Sequence, residues 1–194
     1  MKNKTQTKIQ KRWKDALDNG SIISTDEIVD FGFRTQGKDY YDAAIVLQKS
    51  NLSGAPYYIL LSLSIECYLK SIRTQIFWSG GRGVGVMHEK GHDLLKLFLN
   101  LSDKYPHDAL YLSNQYQIRY KRNLRVDLMR NANVFTHQRY PYKADHSIPQ
   151  PDRRFLYPER TKETELDNHT YVDITALENV AAFLNEELAL TTNN

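Results

Sequence analysis

Arg130 and His137 are the residues whose types and spacing point most directly to chemistry. A guanidinium is a permanent cation shaped to hold phosphate oxygens, and an imidazole exchanges protons near neutral pH. They stand seven positions apart, nearly two turns of a helix, so both side chains project from one face about 10 Å apart along the axis. Asn131 and Asn133 add amides beside them, Arg119 and Arg122 extend the row upstream, and Arg139 and Tyr140 follow it. On a wheel of about 100° per residue, Arg119, Arg122, Val126, Arg130, Asn133 and His137 form one stripe. Tyr120, Leu124, Leu128, Asn131 and Phe135 form a roughly opposite stripe, the expected core face. The basic stripe has what phosphate binding with proton transfer requires. A solvated basic face is the competing account.

Spacing alone does not single this pair out. Arg82 with His88 and Arg139 with His146 are spaced alike, but the first lies in a glycine-rich stretch and the second spans Pro141. His88-Glu89-Lys90-Gly91-His92 also has the spacing of a zinc-hydrolase motif. That chemistry needs both histidines on one stable helix and a third ligand beyond it. Gly91 inside the motif and GRGVGVM before it argue against such a helix, so a zinc hydrolase stands only as an outlying alternative. No metal and no cofactor are expected.

The elements that must position the pair read as helical. Residues 1–37 form a basic N-terminal arm and lead-in, with a cap-like Ser24-Thr25-Asp26-Glu27 and with Gly32 and Gly37 as breaks. Residues 38–190 form one helical domain. Its first helix is Lys38–Ser50; Pro56–Trp78 follows, apolar nearly all round and therefore central. Glu66 and Lys70 on that helix have the i,i+4 spacing of a structural ion pair. Ser79–Lys90 reads as a flexible glycine-rich connector without the ending of a phosphate-binding P-loop. His92 and Asp93 open a helix to about Lys104, and a long helix then runs from Asp108 to about His137. Residues 138–174 form an irregular insertion in which Arg154–Tyr157 and Thr170–Ile174 pair as a small β-hairpin. Thr175 caps a last amphipathic helix bearing Leu177, Val180, Ala181, Leu184 and Leu188. The fold class expected is all-α, an antiparallel bundle of four to five helices.

Composition sets the outer bounds. The 194 residues are enough for one substantial core, and a net charge of +3 confines any nucleic-acid footprint to a local patch. The single Cys67 precludes an internal disulfide framework, and no run is long and apolar enough for a membrane span. A cytoplasmic protein is expected.

Three stretches, in order, resemble the HEPN (higher eukaryotes and prokaryotes nucleotide-binding) domains. LSLSIECYLKSI (61–72) looks like the family's second-helix pattern, GHDLLKLF (91–98) like its His-Asp-Leu helix start, and Arg130-Asn131 with His137 like its catalytic signature. The resemblance covers about residues 38–140. It implies a homodimer pairing two Arg/His helices, and metal-independent endoribonuclease activity in a toxin–antitoxin or phage-defence setting, with an antitoxin protein as a further partner. Other members of the family are non-catalytic modules that bind nucleotide, RNA or protein. Tyr140 stands three positions after the histidine, whereas many toxins of the family have tyrosine two positions after it. The chemistry matches the residue types. RNA supplies its own nucleophile, the 2′-OH. His137 exchanges the proton, Arg130 stabilises charge on the phosphorus oxygens, and Asn131 or Asn133 adds a hydrogen bond. The expected substrate is single-stranded RNA or a tRNA.

Overall fold

The computed structural model describes residues 15–16, 18–20, 24–52, 54–139 and 172–189. The chain divides into two compact units, residues 1–30 with 70–89 and residues 31–69 with 90–194. Among the described residues, no helix is long and apolar enough to cross a membrane.

The smaller unit is built on an antiparallel sheet in the order β1 (Ser24–Ile28), β2 (Thr74–Ser79), β3 (Arg82–Met87). β1 aligns Ser24 with Trp78 and Ile28 with Thr74; β2 aligns Gln75 with Met87 and Ser79 with Arg82. This sheet corrects three expectations: the fold is mostly helical rather than all-α, Ser24–Glu27 is strand rather than helix cap, and Ser79–Lys90 is mainly hairpin. The hairpin forms because Gly80 and Gly81 both adopt positive φ, +56° and +74°, as a two-residue turn between twisted strands demands. A side chain at Gly83 would come within 2.9 Å of Ile76, so glycine suits that strand position by close approach as well.

The larger unit is helical: α1 (Phe31–Lys49), α2 (Ala55–Ser71, its last two residues falling in the smaller unit), α3 (Leu94–Lys104), α4 (Pro106–Tyr120), α5 (Leu124–Arg130), α6 (Val134–Arg139) and α7 (Ile174–Leu188). α1 starts seven residues before the expected Lys38 and runs through both glycines. Gly37 is buried against the Tyr68 ring, where an added Cβ would lie 3.2 Å from three ring carbons, and its carbonyl accepts a 2.8 Å hydrogen bond from Ser64. The glycine is thus where two helices approach closely, which outweighs its poor helix propensity. α2 is buried along most of its length, as its all-round apolarity predicts, but ends at Ser71 rather than Trp78.

Tyr57 and Tyr68 of α2 donate hydrogen bonds to Glu178 and Asn185 of α7, each at 2.7 Å. Burial raises both phenols above their ordinary pKa, with the Glu178 carboxylate adding to the effect at Tyr57. The amphipathic face of α7 is buried at Leu177, Val180, Ala181 and Leu184, joined by Ala176 and Phe183. Its cap is Asp173, whose side chain accepts from the Ala176 amide, rather than Thr175. Ile174 opens this helix and so is no hairpin residue; the rest of the expected pairing lies outside the described residues except 172 and 173, which are not strand.

Candidate functional site

The expected helix from Asp108 to His137 is three helices. α4 stops at Tyr120 because Lys121 turns left-handed, at φ 56° and ψ 29°. Asn123 then starts α5, its side chain accepting from the Val126 amide as an N-cap. α5 ends at Asn131, and a turn over residues 131–133 leads into α6. The continuous wheel therefore fails, and its basic stripe is divided among three short axes. The core stripe fares better: Leu124, Leu128 and Asn131 are buried, while Tyr120 and Phe135 are half-buried.

Each arginine of the stripe has a carboxylate. Arg122 binds Asp127 through Nε at 2.6 Å and Nη2 at 2.7 Å, and the buried Tyr116 hydroxyl donates to the same carboxylate at 2.7 Å. Asp127 is 2% exposed, so its charge is acceptable only because these donors surround it. The hydrogen bond to Asp127 holds the Arg122 proton more firmly than usual, while burial, then its own hydrogen bond to Asp127, raises the Tyr116 phenol. Arg130 donates from Nη1 to Asp173 Oδ2 at 3.0 Å, and Arg122 Nη2 lies 3.7 Å from the same oxygen. Arg119 reaches Glu186, and Glu187 at 2.5 Å, while its guanidinium lies over the Phe183 ring.

Asn131 stitches the cluster together. Its Nδ2 donates to the carbonyls of Asp127 and Asp173, and its Oδ1 accepts from the Asp173 amide at 3.0 Å. At 2% exposure it fixes the end of α5 to the start of α7. Nearby, the Leu94 amide donates to the Ala132 carbonyl at 2.9 Å, seating the start of α3 on the same turn.

Past the turn lie Asn133 and His137, both half-buried, with the His137 amide bonded to the Asn133 carbonyl at 2.9 Å. α6 is positioned through Phe135, whose ring centroid is 4.3 Å from that of His92. Arg139 places its guanidinium 5.6 Å from the same ring. His92 Nδ1 is 2.7 Å from Glu66 Oε2, and with Glu66 nearly buried this hydrogen bond favours the Nδ1–H form. Lys70 is also buried, and Asp93 caps α3 through the Lys96 amide. Thus the structure gathers Arg122, Arg130 and Asn131 around Asp173, sets Arg119 against the far end of α7, and carries His137 on the helix that His92 supports. Tyr140 lies outside the described residues.

Sequence reasoning missed Tyr116, Asp127, Asp173, Glu186 and Glu187. Only Asp127 left a signal: an acid between Leu124 and Leu128 on the core side of a short helix. The segment from His88 to His92 contains no helix, with Gly91 at φ +110°, so its histidines do not share a helical face. Among the described residues, no group of three or more His, Cys, Asp and Glu side chains is placed to hold a metal ion.

Comparison of the chain with protein-family models, with curated proteins and with solved structures found no match.

Proposed function

We propose that this protein is a metal-independent endoribonuclease of HEPN type, acting on single-stranded RNA or tRNA as a homodimer in a toxin–antitoxin or phage-defence setting. The observation that carries the reading is the arrangement of Arg130 and His137 on either side of a pinned turn. Arg130 spends only Nη1 on Asp173 and its side chain is 43% exposed, so the remaining guanidinium edge can meet a phosphate. His137 sits on the next helix, held by the Glu66–His92–Phe135 contacts. In the reaction, His137 takes the proton of the attacking 2′-OH as that oxygen bonds to phosphorus, and the P–O5′ bond breaks. The products are a 2′,3′-cyclic phosphate and a 5′-OH. Arg130 stabilises the charge that builds on the phosphoryl oxygens. A second copy supplies a second histidine to protonate the leaving oxygen, which makes the dimer part of the reading.

His137→Ala should slow cleavage of a labelled RNA about 100- to 10,000-fold while leaving the fold intact by circular dichroism. Undiminished cleavage by that variant overturns the proposal, as does equal cleavage of RNA and of an all-deoxy strand.

One observation favours a second reading, a non-catalytic module that binds RNA or protein: Arg119, Arg122 and Arg130 are all engaged by carboxylates. RNA bound but never cut by the wild-type chain would select it.

A further inference from the structure

Asp173 does two jobs with two oxygens. Its Oδ1 accepts from the Ala176 amide at 3.0 Å and caps α7, while its Oδ2 accepts from Arg130 Nη1 at 3.0 Å. Its backbone is held independently, by both ends of the Asn131 side-chain amide. The carboxylate is therefore fixed in place whether or not Arg130 meets it. Its hold on the guanidinium is slight by comparison. Arg122 grips Asp127 with Nε and Nη2 together, the two-point fork that fixes an arginine's plane. Arg130 makes one hydrogen bond to one oxygen, and among the described residues no other carboxylate pairs with it. Such a contact cancels charge more than it sets orientation, and the cancelled charge is lost to an incoming phosphate.

We propose that Asp173 is an internal competitor for the RNA phosphate at Arg130, a carboxylate that holds down the affinity of this site for its substrate. The proposal rests on the ribonuclease reading and adds a brake to the same site. A phosphodiester and a carboxylate are both monoanions with oxygen acceptors, so either satisfies the same guanidinium. The Asp173 side chain is 12% exposed and tied into the helix cap, whereas Arg130 is open to solvent, so the arginine is the partner able to turn. Arg122 Nη2 lies 3.7 Å from the same Oδ2 and keeps a positive charge beside it when Arg130 turns outward. The exchange therefore leaves no bare anion behind.

The experiment measures binding of the full chain to a fluorescein-labelled single-stranded RNA carrying 2′-O-methyl groups throughout, so that no cleavage intervenes. Asparagine caps a helix as aspartate does, but it carries no charge and, with its oxygen on the cap, offers Arg130 only an amino group. Asp173→Asn should tighten binding about three- to fivefold at fixed salt. It should also steepen the fall of log affinity with log salt by up to about 0.7, one single-strand phosphate contact. Asp173→Ser, a second uncharged cap, should act in the same direction. In an Arg130→Ala background, Asp173→Asn should leave affinity unchanged, because the guanidinium in dispute is gone. The brake is overturned if neither Asp173 variant binds more tightly than wild type, which would make the carboxylate a positioning group. It is overturned equally if the gain persists without Arg130, which would make it a general effect of charge. Either result, beside normal cleavage of unmodified RNA by wild type, leaves the ribonuclease reading standing. Failure of wild type and of both Asp173 variants to bind or cleave RNA overturns both.

Discussion

Arg119 and Arg122 are one helical turn apart in sequence and both hold carboxylates, yet the two pairs do different work. Arg122 grips Asp127, an anion sealed from water and shared with the Tyr116 hydroxyl. Arg119 meets Glu186, whose side chain is 58% exposed, and Glu187 at the end of α7. Water competes for Glu186 and reaches Glu187, which is 16% exposed, but has almost no access to Asp127. The lesson is that an arginine's weight in this protein follows the burial of the acid opposite it, not the number of its hydrogen bonds.

The sharpest way to test that contrast is Asp127→Ala. It strands the Tyr116 hydroxyl in the core and deprives Arg122 of its main partner, so urea unfolding should show a loss of about 3–5 kcal/mol. A loss below 1 kcal/mol would mean that the buried pair is no stronger than the exposed one.

Alkaline pH probes the same interior through its phenols. Tyr57, Tyr68 and Tyr116 all have folded-state pKa values above the ordinary value, chiefly through burial. Below about pH 10 both folded and unfolded states keep the phenolic protons, so these groups add no pH dependence. Above it the unfolded state releases protons that the folded state retains, and stability should fall as pH rises. Tyr116→Phe should flatten part of that decline in melting curves recorded between pH 9 and 11; an unchanged slope would remove Tyr116 from the account.

The smallest effect belongs to the surface pair. Arg119→Ala should cost less than about 1 kcal/mol, and the loss should shrink further in high salt, whereas the Asp127 effect should barely respond. Equal salt sensitivity of the two variants would erase the distinction.

How much of this was legible in the residues depended on distance along the chain. The periodic apolar runs of α2, α3 and α7 were readable, as was Asp93 at the head of α3, because their signals are local. The break at Lys121 was not, since a lysine in the left-handed region carries none of the glycine or proline marks of a helix end. Asn123 is a local mark of the start of α5, and Gly80-Gly81 before the alternating valines is a local mark of the β3 hairpin. The pairing of Arg130 lay beyond sequence reasoning for another reason. Asp173 is 43 residues away, and only the packed fold brings the two together.

The turn at residues 131–133 has a consequence for how this unit opens. Backbone groups of Leu94, Ala132 and Asp173 meet there, joined directly or through the Asn131 side chain, and each introduces a different helix. Fraying at one of these ends exposes hydrogen bonds belonging to the others, so the amides of Leu94 and Asp173 should exchange with solvent deuterium on a common, slow timescale. Such a junction behaves as one cooperative opening unit. The turn between Arg130 and His137 is then a fixed joint, and on the ribonuclease proposal the substrate would meet a surface already set rather than one that orders on contact.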